Sequence, residues 1–135
     1  MDENCIFCKL ANGVFATNMI YEDEDFAAFL DASPAAKGHT LLVPKKHAAN
    51  VFELPDEIGA KIFPVAKKVA ANLKEKLGCD GVNILQNNGT AAGQTVFHLH
   101  VHIIPRMEGD ERILEWSHLE PTDEEQKATC ELLKM

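Results

Sequence analysis

The chain has 135 residues, 46% hydrophobic and 25% charged, so it is long enough to bury one core and lacks the composition of a disordered segment. Its formal charge of −8 argues against non-specific binding to nucleic acid or anionic membranes, which needs a basic face. No apolar run approaches the ~20 residues of a membrane span, and the opening MDENCIFCKL lacks the basic start and apolar stretch of a signal peptide. A cytoplasmic protein of one domain, residues 1–135, is the expectation, with its four cysteines as thiols or metal ligands.

In chain order, CIFCKLANG reads as a short helix stopped by Gly13. MIYEDEDFAAFLD predicts two short strands, Met19 to Tyr21 and Phe26 to Leu30, joined by an acidic turn. DASPAAKG is a loop, and HTLLVP, residues 39–44, a third strand ending at Pro44. Ile58, Ile62, Val65, Val69 and Leu73 recur at helical spacing, which predicts one long helix over 55–77. Pro55 starts it, Gly78 follows it, and Pro64 should kink or interrupt it. GVNILQ and TVFHLHVHII are two more strands around NNGTAAGQ, and PTDEEQKATCELLK is a closing helix with Thr122 and Glu125 at capping-box spacing. The expected fold is α+β: an antiparallel sheet of about five strands, one long helix and short terminal helices.

The run HLHVHII sets His98, His100 and His102 on alternate residues. On a strand these three share one face, about 7 Å apart, while Leu99, Val101 and Ile103 pack on the other, against the long helix. Chance histidines on a wet strand, a metal site using all three rings, or a separate task for each ring are the open readings. About 7 Å is long for neighbouring metal ligands at bonds of ~2 Å. The preceding loop favours separate tasks. NNGTAAGQT holds glycines that allow close backbone approach, amide side chains, a hydroxyl and no lysine. Such a neutral cradle of donors suits a singly or doubly charged phosphate.

These residues resemble the histidine triad family, whose pattern is His-φ-His-φ-His-φ-φ with φ hydrophobic. CIFCKLANG, YEDEDFAAFLDASPAAKGHTLLVPKKH and NNGTAAGQTVFHLHVHIIPR follow the order of its Hint-like branch, covering residues 4–106 and leaving 107–135 as a C-terminal tail. The resemblance implies an enzyme that cleaves a nucleoside monophosphate from an amine or phosphate through a covalent nucleotidyl-histidine. It places the nucleophile on His100, with His102 on the phosphate and sharing in leaving-group protonation. His39 completes the catalytic set beside the nucleophile. Asn87, Gln94 and Thr95 join His102 on the phosphate. Asp31 would accept the ribose hydroxyls, and Ile6, Phe7, Leu10, Phe29 and Leu30 would clamp a base, with a purine expected.

By spacing, Cys5-x-x-Cys8 is half a zinc site with no second cysteine pair, and His47 and His98 are too distant for a compact finger. The resemblance supplies the other half. In zinc-carrying relatives and the related galactose-1-phosphate uridylyltransferases, such a pair joins one distant histidine and the first triad histidine, here His47 and His98. Four protein ligands make a structural zinc. The resemblance also implies a homodimer joined through the long helix and a neighbouring strand. Two alternatives stay open: hydrolysis of dinucleoside polyphosphates, as in the Fhit branch that shares GQTV and the PR after the triad, and a nucleotide-binding regulatory protein with incidental activity. The tail, with Trp116 and His118, either reaches the partner's site or is a surface loop held by one aromatic anchor.

Overall fold

The computed structural model describes residues 1–111 and 114–135. Arg112 and Ile113, in the middle of the predicted tail segment, lie outside the described residues. Five strands, β1 (Met19–Glu22), β2 (Phe26–Leu30), β3 (Thr40–Pro44), β4 (Gly81–Gln86) and β5 (Val101–Arg106), form one sheet in the order β1-β2-β3-β5-β4. Every neighbouring pair is antiparallel. Helices α1 (Ile6–Ala11), α2 (Asp56–Leu77) and α3 (Asp123–Leu133) complete the α+β architecture.

Period-two alternation sorts the side chains to two faces. Phe26, Ala28, Leu42, Val101 and Ile103 turn to one side, where Val65, Ala66, Val69 and Leu73 of α2 cover them. Ala27, Phe29, Leu41 and Val43 turn to the other, against Phe7 and Ala11 of α1. Because both faces are covered, β3 is buried along its whole length and β2 along four of its five residues, so both read as continuous apolar runs. The acidic β1–β2 turn closes on Asp23, whose Oδ1 accepts the N–H groups of Asp25 and Phe26 at 2.8 and 2.7 Å.

Helix α2 spans 22 residues and stops where Gly78 enters the left-handed region at φ +64°. Pro64 does not interrupt it. Proline deprives the Ala60 carbonyl of its helical donor, but both residues sit on the exposed side, where water replaces the bond. The last strand departs further from expectation. It starts at Val101, and residues 95–100 belong to no strand. Pairing stops at Val101, which faces Gln86, the last residue of β4, and Leu42, two residues before the end of β3. Upstream, the Leu99 N–H donates instead to the Ala48 carbonyl at 2.7 Å.

Helix α3 forms with its Thr122–Glu125 capping box complete, yet none of its residues is buried. Trp116 is 74% exposed and stands 6.5 Å, ring to ring, from His118.

Candidate active site and metal cluster

The chemistry-bearing side chains gather on the α1 face of the sheet, around the irregular stretch 94–100 that leads into β5. Gln94, 2% exposed, holds that stretch in place. Its Oε1 accepts the Gly89 N–H at 2.8 Å, and its Nε2 donates to the carbonyls of Ala49 and Val96 at 2.7 and 3.0 Å. Both ends of the amide are thus committed to backbone. The Gln94 side chain, expected on the phosphate, is placed behind the cradle and is not among the residues lining the cleft. The loop turns at Gly93, φ +92°, a conformation other residues rarely adopt. A β-carbon there would lie 3.5 Å from Nδ2 of Asn87, which is half-buried behind the turn and also outside the cleft lining.

The cleft itself has a volume of about 530 Å³. Ile6, Phe7 and Leu10 of α1 form one wall, and Phe29, Leu30 and Asp31 another. Thr95, His100 and His102 close the third side. All six residues expected around a nucleoside therefore converge. Leu41, Val96, Ala16, Thr17, Ala32 and Ser33 complete the lining. Leu41 was legible in principle, because antiparallel register places it between Phe29 on β2 and His102 on β5. No sequence pattern points to Ala16, Thr17, Ala32, Ser33 or Val96, which arrive by loop path alone.

The three triad rings do not form one row. His98 turns away toward the cysteines, while His100 and His102 stay together at 5.0 Å between centroids. The irregular backbone before Val101 permits that divergence. Nδ1 of His100 lies 2.7 Å from the His98 carbonyl, which only accepts, so Nδ1 carries a proton and the lone pair of the neutral imidazole falls on Nε2. Phe7 stands edge-on to this ring at 4.9 Å and limits its rotation. His102, pushed down to about 4 by burial and then by the neighbouring His100 and His39, is neutral at pH 7. His39, expected beside the nucleophile, is in contact with His102. It lies behind His102, with Nε2 2.9 Å from His102 Nδ1 and 3.5 Å from Asp31 Oδ2, and burial lowers its basicity too.

The second constellation joins Cys5, Cys8, His47 and His98. His98 Nε2 donates to the Pro44 carbonyl at 2.8 Å, which leaves its Nδ1 lone pair facing the sulfurs. Cys5 Sγ and Cys8 Sγ lie 3.2 and 3.4 Å from that nitrogen, and His47 Nδ1 lies 3.2 Å from it and 3.4 Å from Cys8 Sγ. A tetrahedron with bonds of about 2.0 Å to nitrogen and 2.3 Å to sulfur has edges of roughly 3.3–3.8 Å. The donor set therefore fits a metal such as zinc in kind and nearly in size. Burial also pushes the Cys8 thiol up, an environment that a bound cation reverses by stabilising the thiolate. Neutral His98, held at about 4 by burial, needs no proton removed.

Trp116 and His118 stand with Leu114 and Glu115 around a separate shallow recess, away from both constellations. No described helix is long and apolar enough to cross a membrane.

A five-stranded antiparallel sheet with a histidine-bearing apolar cleft beside a two-cysteine, two-histidine cluster defines a class of α+β proteins built around a histidine strand. Residues 12–109 match the family model described as the HIT domain, and the chain belongs to that family, in its Hint-like branch. It is 49% identical over 119 residues to a HIT-like protein of Methanocaldococcus jannaschii, covering 88% of this chain and 92% of that one. It is 46% identical to the adenosine 5′-monophosphoramidase hnt1 of Schizosaccharomyces pombe over 103 residues, 76% of this chain and 74% of the relative. Among solved structures, SMU.412c from Streptococcus mutans superposes with a TM-score of 0.93 at 41% identity, covering 98% of this chain and 85% of that one. A Zn-bound histidine triad family protein from Mycobacterium smegmatis superposes with a TM-score of 0.77 at 36% identity, covering 97% and 98%.

Proposed function

We propose that this protein is a nucleotidyl hydrolase that releases a purine nucleoside monophosphate from an amine, in the manner of a nucleoside phosphoramidase. The observation that carries the reading is the bond from His100 Nδ1–H to the His98 carbonyl, which in the neutral imidazole puts the lone pair on Nε2 of a residue lining the cleft. That nitrogen attacks the α-phosphorus, the P–N bond of the substrate breaks, and water then cleaves the nucleotidyl-histidine. The His98 carbonyl stabilises the charge that His100 acquires on forming its new bond. The base lies between α1 and β2, Asp31 takes the ribose hydroxyls, and Thr95 and His102 hold the phosphate. Relatedness to an adenosine 5′-monophosphoramidase supports the amine leaving group and the adenine.

The Cys5, Cys8, His47 and His98 cluster holds zinc in this reading. With four protein ligands the ion is structural; it ties α1 to the segment that carries the nucleophile. Two copies associate through α2 and the edge strand β4, where Phe63 and Ile84 are 71% and 41% exposed.

The test follows mononucleotide release from adenosine 5′-phosphoramidate and from a dinucleoside polyphosphate by native protein and His100→Ala. The substitution should abolish release, by more than about 10³-fold, while leaving fold and metal content intact. The preferred substrate decides between phosphoramidase and polyphosphate hydrolase. Nucleotide binding without turnover in native protein would replace the enzyme with a binding protein.

A further inference from the structure

His39 is 5% exposed, is not among the residues lining the cleft and meets two that are, His102 and Asp31, so the reaction proposed above leaves it without a task. Its surroundings are unusually well determined. The Ala35 N–H donates to His39 Nδ1 at 2.9 Å. A peptide N–H only donates, so Nδ1 of His39 carries a lone pair, and the proton of the neutral ring sits on Nε2. That Nε2–H lies 2.9 Å from His102 Nδ1, which must accept it, and the proton of neutral His102 is thereby forced onto Nε2.

We propose that His39 is a positioning residue that reads the Ala35 peptide and fixes His102 as a one-way hydrogen-bond donor to the phosphoryl oxygen, and that His102 gives no proton to the leaving group. The inference rests on the phosphoryl-transfer reading of the cleft.

The loop that aims the Ala35 peptide is tied at both ends. The Asp31 N–H donates to the His39 carbonyl at 2.9 Å, and the His39 N–H to the Ala36 carbonyl at 3.0 Å. Asp31 Oδ1 accepts the Ser33 N–H at 2.8 Å. Gly38, at φ +91°, presses this loop against the sheet and α2: a β-carbon there would meet Leu77 at 2.6 Å. The direction of every bond in the series then follows from its first member. The series begins at a peptide that has no proton to release at neutral pH. If His102 surrendered its Nε2 proton it would become an anion that nothing behind it could neutralise. It therefore stabilises charge on a non-bridging oxygen, where a fixed donor costs no reorganisation. The bond from phosphorus to the amine breaks with its electron pair on nitrogen, and solvent water supplies the proton.

The same logic separates two clusters that geometry alone makes similar. Asp31, His39 and His102 also gather their polar atoms within 4.8 Å of one another. There a proton occupies the space between the rings. In the cysteine cluster the proton of His98 points out to Pro44, and lone pairs converge.

The experiment uses the full chain, with His39→Leu and His39→Gln. Glutamine can place an amide N–H where His39 has Nε2; leucine cannot. Ring ¹⁵N shifts should show His102 as a single Nε2–H tautomer in native protein and His39→Gln, and as a mixture in His39→Leu. An unchanged His102 pattern in folded His39→Leu overturns the proposal whatever the activity. For a series of adenosine phosphoramidates of graded amine basicity, His39→Leu should lower kcat by about 10- to 100-fold, equally across the series and with KM little changed. His39→Gln should recover most of it. A loss that grows with amine basicity would mean that His102 does transfer a proton, and would equally overturn the proposal. Failure of native protein to cleave any amidate sinks the hydrolase reading, and the tautomer measurement still decides the role of His39.

Discussion

Asp31 carries two obligations on one carboxylate. Oδ1 is occupied by the Ser33 N–H at 2.8 Å, while Oδ2 stands 3.5 Å from His39 and borders the cleft. Asp31→Asn keeps an oxygen for the Ser33 bond and exchanges the charged acceptor for a neutral amide. A hydrogen bond to a charged group contributes about 1.5–3 kcal/mol, so ribonucleotide affinity should fall roughly 10- to 100-fold. The 2′,3′-dideoxy analogue, which has no hydroxyl to offer, should bind both proteins alike. Calorimetric titration of the two nucleotides against both proteins measures this, and an equal loss for both would remove Asp31 from ribose recognition. At this scale the sequence was legible where a motif names a residue and opaque where hydrogen bonding decides. The triad spacing pointed to His98, His100 and His102. Nothing in GQTV says that the Gln94 amide is consumed by Gly89, Ala49 and Val96, because two of those bonds depend on how the loop folds back on itself and the third reaches a residue 45 positions away.

Helix α1 has two faces with two tasks. Cys5 and Cys8 look toward His47 and His98, while Ile6, Phe7 and Leu10 of the same six-residue stretch form the cleft wall. So short a helix has little stability of its own, since nucleation costs more than one or two turns return. Its place depends on packing and on the cysteine cluster. If zinc fills that cluster as proposed, removing it should weaken nucleotide binding as well as the fold. With a chelator, or with Cys8→Ser, melting temperature should drop by several degrees, about 1–3 kcal/mol for a domain of this size, and affinity for adenosine monophosphate should fall at least severalfold. Equilibrium dialysis with and without chelator checks the second part; unchanged affinity in metal-free protein would show that α1 is held by packing alone. The pattern of elements was readable because amphipathic periods and punctuating Gly and Pro are local signals. β1 to β4 and α2 start and stop within a residue or so of expectation. The last strand begins six residues later than its sequence suggests, since TVFHLHVHII alternates throughout and gives no local sign that pairing stops at Val101, where β4 ends and β3 runs on unpaired to β5.

Over the whole molecule, burial sets the rings against acid. His98 and His102 are both held at about 4 and His39 below its ordinary value, against about 6.5 in an unfolded chain. A histidine with a depressed folded value binds its proton more readily when unfolded. Above pH 6.5 both states are neutral and nothing is lost. As pH falls from 6.5 toward 4 the unfolded state takes up protons that the folded state refuses, and stability declines by at most about 1.4 kcal/mol per pH unit for each ring. Release of a zinc held as proposed above would act in the same direction, because protons compete for the ligands. Chemical denaturation of metal-free protein at pH 7.5, 6 and 5 isolates the histidine contribution. The His39→Gln and His102→Gln double variant, which retains His98, should show a shallower decline than native protein. Identical slopes would place the acid sensitivity in His98 or the carboxylates. The tail should contribute nothing to either slope within one subunit, since α3 buries no residue and its acidic first turn faces solvent. Deleting residues 119–135 should then leave the unfolding of an isolated subunit unchanged and alter only the dimer proposed above, in which Leu132 and Leu133, 82% and 67% exposed, would find cover. Denaturation at protein concentrations above and below the dimer's dissociation range separates the two contributions, and a loss of stability in the dilute, truncated subunit would show that the tail docks on its own sheet.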